Sequence, residues 1–162
     1  VLNFGNIAKY IDKIGGIAIL LEQPVADGNL YFSSGTHHLD GETAVGFMRM
    51  RYYDDDFHRV RRQTLVLKAF YKKVIDELSS FEISQMAFSV LVDKNIQTDF
   101  AVKDMPPLVC LARTIDSSDV HFVEIPNDMY RPATTSAGGA VQIPNEKVVP
   151  FIQSVMDGSF EP

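Results

Sequence analysis

Apolar residues at Ile7, Ala8, Ile11 and Ile14 recur at helical spacing, so residues 6–14 read as a helix. Gly15-Gly16 ends it, because glycine tolerates the left-handed geometry of a helix C-terminus. The run IAILL, continued to Glu22, has strand length, and residues 17–22 read as a buried strand. Residues 24–29 form a loop with Asp27-Gly28 turn chemistry, and residues 30–32 a short strand ending in Ser33-Ser34-Gly35. Asp40 is an N-cap for a helix over residues 41–50, with Glu42 and Thr43 in its first turns. Residues 52–56 are polar and acidic and break the pattern. A long helix follows over residues 57–78, then a shorter one over 83–92 and an extended piece at 98–100. Asp104 caps a helix that runs to Arg113, with Pro106 in its first turn. Residues 120–125 read as a strand, 134–139 as a small-residue turn and 141–143 as a strand. Asn145 caps a last helix ending near Met156. Strands and helices interleave, so the fold class is α/β of mixed α+β character, a sheet packed against helices. No repeat, linker or low-complexity run interrupts residues 1–162, which read as a single domain.

The long helix carries an anomaly. At about 100° per residue, Val66, Leu67, Phe70 and Val74 form its apolar stripe. Arg59 and Gln63 fall on that stripe, and Arg62 lies at its border beside Val66. Arg61, Lys68 and Lys72 fall on the opposite, solvent side. A guanidinium facing inward needs an anion, since burying an unpaired charge costs several kcal/mol. Arg59 also sits in the first helical turn, where the macrodipole disfavours a cation. Two compensations fit. One is an internal ion-pair cluster with Asp54, Asp55 and Asp56. The other is a bound phosphate, held by free helix N–H groups and by the planar arginine fork. Arg49 and Arg51, at the end of the preceding helix, converge on the same place if the intervening loop folds back. Gln63 tilts the balance toward a ligand, because a neutral amide orients a ligand but adds nothing to charge pairing.

Composition narrows the function. The five arginines of RMRYYDDDFHRVRRQ lie in a chain that is acidic overall, with 21 Asp and Glu against 15 Lys and Arg. That balance argues against nucleic acid as a partner, as does the lack of a helix-turn-helix pattern with exposed basic residues. No apolar run approaches the ~18–20 residues of a membrane span, and the N-terminus lacks the basic start and apolar stretch of a signal peptide. Cys110, the one cysteine, excludes an internal disulfide and reads as a packed, inert thiol. His37-His38 suggests metal, but the pair reads as part of a turn with no third ligand at useful spacing. Met48, Met50, Met86, Phe47, Phe70 and Phe88 fit core packing, with a lining role in an apolar cleft as the alternative for some of them.

Three segments in order, YIDKIGGIAILL, SSGTHHLDGETAVGFMRMR and DFHRVRRQ, resemble the LytR-CpsA-Psr family of cell-envelope enzymes. The resemblance is strong from Phe4 to about Leu78 and continues weakly through VHFVEIP. It implies a phosphotransferase that attaches a glycopolymer, teichoic acid or capsular polysaccharide, from a polyprenyl-pyrophosphate carrier to peptidoglycan. It also implies an extracellular site at the cytoplasmic membrane of, mostly, Gram-positive bacteria, with an N-terminal helix as tether. Members have carried the label of transcriptional regulator. Carried over by position, Arg49, Arg51 and Arg59 become catalytic, and with Arg62 and Gln63 they hold the pyrophosphate. Asp12 matches the acid of the GG segment and reads as a hydrogen-bonding residue at the helix C-terminus. Asp56 matches the acid of the last motif, capping the long helix and orienting Arg51 or Arg59. His58 replaces a residue that is often small in the family.

The family's earlier half, with its acidic metal ligands, has no counterpart here. The expectation is therefore a domain lacking its N-terminal portion, with Mg2+ bound by the full family domain and no metal ligand in this chain. Such a piece would expose a sheet edge and invite homodimerisation. The alternative function is a non-catalytic module that binds polyprenyl phosphate or a cell-wall polymer.

Overall fold

The computed structural model describes residues 4–50, 56–94, 96 and 101–160, the side chains of Phe4, Asp56 and Phe57 apart. Residues 52–55 of the expected break and the extended piece at 98–100 lie outside the described residues. Two compact units arise, Val1–Val120 and His121–Pro162, and each is described by itself.

The first unit opens with α1 (Phe4–Lys13), ended by Gly15 and Gly16 at φ +79° and +85° as the glycine pair requires. β1 (Ile17–Leu21) pairs antiparallel with β4 (Gly35–Leu39), in a register that sets Ile17 opposite Leu39. Ile17, Ile19 and Leu21 point inward, while Leu20 is exposed, so β1 is half-buried rather than the fully buried strand its apolar run suggests. A hairpin of β2 (Val25–Asp27) and β3 (Leu30–Phe32) turns at Gly28, φ +54°. Then follow α2 (Gly41–Arg49), the long α3 (Asp56–Glu77), α4 (Ser80–Leu91) and α5 (Met105–Thr114). α2 packs between α1 and α3, and α3 also covers β1. The core runs through Ile11, Ile17, Leu39, Phe47, Met48, Met50 and Val66, and Phe32 meets Phe47 edge-on with ring centroids 5.3 Å apart. A second tie joins α1 to the end of α4. Buried Asp93 accepts from Lys9 Nζ at 2.6 Å, and the Tyr10 hydroxyl lies 3.2 Å from the same carboxylate and 3.1 Å from the Ser89 carbonyl. Burial pushes the Tyr10 phenol up, and the bond to Asp93 holds the Lys9 ammonium up.

α4 begins with a reciprocal cap. Glu82 N–H donates to Ser79 Oγ at 3.3 Å, and Ser79 N–H donates to Glu82 Oε2 at 2.8 Å. Ser79→Ala removes one half of it and is expected to cost about 1 kcal/mol, read in a thermal melt as a fall in Tm of about 3 °C.

The second unit holds an antiparallel hairpin, β5 (Tyr130–Thr134) with β6 (Ala140–Pro144), and then α6 (Val148–Met156). Thr135 N–H closes the turn onto the Gly139 carbonyl at 2.8 Å. Asn145 works ahead of α6, with its Oδ1 accepting from Lys147 N–H at 2.9 Å.

The interleaved helices and short strands make a mixed α/β fold, in keeping with the sequence pattern. Several local expectations change. Residues 120–125 form no strand, because their backbone groups find no ladder partner among the described residues. β4 and β5 arise where the pattern shows no strand, and β2 lies inside the expected loop at 24–29. Asp104 makes no side-chain cap to α5, because Pro106 and Pro107 offer no N–H; its carboxylate accepts from Ala101 N–H at 2.9 Å instead. Cys110 is exposed on α5 rather than packed. Phe88 and Leu67 are exposed as well, so neither belongs to the core.

Candidate functional site

Four of the expected site residues, Arg49, Arg59, Arg62 and Gln63, lie on α2 and the first turns of α3, and the sequence fixes α2 at its start. Asp40 is the N-cap, its Oδ1 accepting from Thr43 N–H at 2.8 Å. Hydrogen bonds from the Thr43 side chain and backbone hold the Asp40 carboxyl below its ordinary value. Asp12, at the end of α1, accepts from Gly41 N–H at 2.7 Å, satisfying another donor that the helix leaves open. Gly41 has no room for a side chain, since a Cβ there would stand 2.1 Å from the Ala8 carbonyl oxygen. The IDKIGG and LDGE segments therefore meet through Asp12 and Gly41.

At the other end of α2, Met50 leaves the helix with an extended ψ of 135°. Its carbonyl accepts from Arg62 Nη2 at 2.6 Å. Met50 is 1% and Arg62 7% exposed, so this is a charge-assisted bond made in the interior. Arg49 precedes Met50 directly and is exposed. Arg59 and Gln63, four residues apart on α3, are half-buried neighbours one turn from each other. Helical periodicity set Arg59 inward and Arg62 at the border, yet Arg62 is the arginine the fold buries. The reason is the Met50 carbonyl, a partner with no signature in a helical wheel. Arg61, Lys68 and Lys72 are exposed, as their side of the wheel requires.

Arg51, Asp54 and Asp55 lie outside the described residues, as does the side chain of Asp56, whose backbone opens α3. The four described members, Arg49, Arg59, Arg62 and Gln63, thus share the junction between the end of α2 and the start of α3. That junction can offer guanidinium groups, and the positive end of a 22-residue helix, to an anion.

Two further polar features are separate from it. His37 and His38 lie on β4, not in a turn, so successive side chains point to opposite faces of the sheet and do not converge on one ion. His37 packs edge-on against Phe32 and donates from Nε2 to the Ser33 carbonyl at 2.7 Å. An open cleft of about 450 Å³ is lined by Asp12, Gly16, His38, Asp40, Lys73 and Glu77. Lys73 is eleven residues along α3 from Arg62, roughly 16 Å at the helical rise, so the cleft and the arginines lie at opposite ends of α3. Among the described residues, no three His, Cys, Asp or Glu side chains gather in a way that could hold a metal ion, and no magnesium ligand is assigned. No described helix is long and apolar enough to cross a membrane.

Comparison with known proteins adds to this geometry. Residues 1–154 match the LytR_cpsA_psr family. The chain is 28% identical over 141 residues to a polyisoprenyl-teichoic acid–peptidoglycan teichoic acid transferase, TagU, of Bacillus cereus, covering 82% of this chain and 43% of the relative. It is 25% identical over 171 residues to biofilm regulatory protein A of Streptococcus mutans, covering 97% of this chain and 40% of that protein. The crystal structure of B. subtilis TagV superposes with a TM-score of 0.76 at 19% identity, covering 99% of this chain and 63% of that one. The chain thus spans less than half the length of these two curated relatives.

Proposed function

The chain belongs to the LytR-CpsA-Psr family, and on that premise we propose that it acts in transferring a glycopolymer from a polyprenyl-pyrophosphate carrier onto peptidoglycan. The glycopolymer is a teichoic acid or a capsular polysaccharide. The work is done at the outer face of the cytoplasmic membrane. In this reaction a hydroxyl of the peptidoglycan sugar attacks the phosphorus nearest the polymer. A phosphodiester forms, the pyrophosphate bridge breaks, and the lipid monophosphate departs. Negative charge builds on the phosphoryl oxygens and on the leaving group. Arg49, Arg51 and Arg59 stabilise that charge, with Gln63 orienting the headgroup and Asp56 supporting the arginines. Magnesium, where the full family domain binds it, would neutralise charge on the pyrophosphate.

The observation that carries this reading is the α2–α3 junction. There a buried arginine fastens the two helices together beside Arg49 and Arg59, at the positive end of a long helix. A direct test incubates the protein with a labelled polyprenyl-pyrophosphate-linked glycopolymer and purified peptidoglycan. Label passing to the peptidoglycan, in step with release of lipid monophosphate, is the expected result. Binding of the donor with no turnover would favour a non-catalytic lipid- or polymer-binding module. No binding of the donor would overturn both readings.

A further inference from the structure

We propose that Arg62 is a positioning residue rather than a pyrophosphate ligand: by gripping the Met50 carbonyl it fixes the end of α2, and so sets where Arg49 stands relative to Arg59. This rests on the functional reading above and alters the role that the motif alone gives Arg62. Three observations carry it. First, Arg62 is 7% exposed, and its Nη2 already spends a hydrogen bond of 2.6 Å on Met50 in the interior. Arg49 is exposed and Arg59 half-buried, as groups that reach a ligand from solvent should be.

Second, the Met50 carbonyl has a specific need. The last carbonyls of a helix have no intrahelical partner, and Met50 turns away at ψ 135° while its side chain enters the core. A buried carbonyl without a donor is costly, so the bond decides which way the chain leaves α2. Third, α2 is already fastened at its start, where Asp12 accepts from Gly41 N–H at 2.7 Å and Gly41 lies against the Ala8 backbone. With Arg62 at its end, α2 is a short strut pinned at both termini. Misplacing a binding group by an ångström is enough to weaken a preorganised site severely.

The test uses the whole chain in two measurements, with Arg62→Gln and Arg62→Lys as variants. In the protein without ligand, amide hydrogen exchange is followed at Phe47 to Met50 and normalised to the amides of β1. Arg62→Gln should accelerate exchange in that last turn of α2 at least tenfold, leave the first turn around Thr43 unchanged, and be largely restored in Arg62→Lys, which keeps a charged donor. Unchanged exchange in the last turn overturns the proposal whether or not any ligand binds.

Inorganic pyrophosphate is the probe in the second measurement. Arg62→Gln should weaken its binding about tenfold in the wild-type background and have little effect once Arg49 is alanine, since an arginine that acts through Arg49 has nothing left to position. The same loss in both backgrounds marks Arg62 as an independent ligand and overturns the proposal. If the wild-type chain fails to bind pyrophosphate, the functional reading falls, and the exchange measurement still decides the role of Arg62.

Discussion

Arg59→Ala should weaken binding of pyrophosphate about a hundredfold and leave the Tm within a few degrees of wild type. Arg59 sits in the first turns of α3, half-buried, on the stripe that leads to Val66 and Phe70. A guanidinium that forks onto phosphate oxygens makes two charge-assisted bonds, each worth about 1.5–3 kcal/mol. Losing both with some compensation from water leaves about 3 kcal/mol, or roughly two orders of magnitude in Kd. Stability should change little, because removing a cation from the positive end of a helix relieves an unfavourable dipole interaction worth about 0.3–1 kcal/mol. Isothermal titration with inorganic pyrophosphate, beside a thermal melt of the same sample, separates the two effects. A variant that unfolds instead would show that Arg59 belongs to an internal ion-pair cluster, the competing explanation for an arginine on an inward stripe. Arg59→Lys should recover only part of the affinity, since an ammonium cannot reproduce the two-pronged grip.

Gly41→Ala should destabilise the protein by about 3 kcal/mol, the upper part of the range for overpacking, and lower the Tm by about 9 °C. Helix propensity alone points the other way, since alanine is favoured over glycine in a helix by about 1 kcal/mol. Tertiary packing reverses the sign. A Cβ on Gly41 would stand 2.1 Å from the Ala8 oxygen, 2.6 Å from its carbonyl carbon and 2.8 Å from its Cα. All three are backbone atoms of α1 and cannot swing aside as a side-chain tip can. Relief requires α1 and α2 to separate, which also stretches the 2.7 Å bond from Gly41 N–H to Asp12. Gly46→Ala in the same helix is the control. Its Cβ would meet only the Leu30 Cδ1 at 3.3 Å, a flexible methyl, so this variant should be neutral or slightly stabilised. Equal behaviour of the two variants in chemical denaturation would show that the α1–α2 contact is not as close as described.

The two predictions mark where local pattern suffices and where it does not. The helices were legible because amphipathic spacing, caps and glycine stops act within a few residues. The Asp40 cap, the Gly15-Gly16 stop and the span of α3 follow from them. Strands were harder, because a strand needs a partner elsewhere in the chain. THHL carries little β signal, yet it becomes β4 by pairing with IAILL. VHFVEI carries the signal, and no described segment pairs with it. Cys110 and Phe88 are apolar in character but stand on outward helix faces, a matter of which side of α4 and α5 the rest of the fold covers.

For the candidate site, the chain by itself suggested a grouping. The order and spacing of IDKIGG, LDGETAVGFMRMR and DFHRVRRQ suggested one group of Arg49, Arg51, Arg59, Arg62 and Gln63 and pointed to the family that residues 1–154 match. Only the tertiary structure told the described ones apart by burial. It buried Arg62 against the Met50 carbonyl and left Arg49 exposed and Arg59 half-buried. It also turned Asp12 and Gly41 into the fastening between α1 and α2. The physical reason is that side-chain chemistry and helical phase are written in neighbouring residues. The partner that a buried donor finds is a backbone atom twelve or twenty-nine residues away, and every backbone carbonyl or amide looks alike in a sequence.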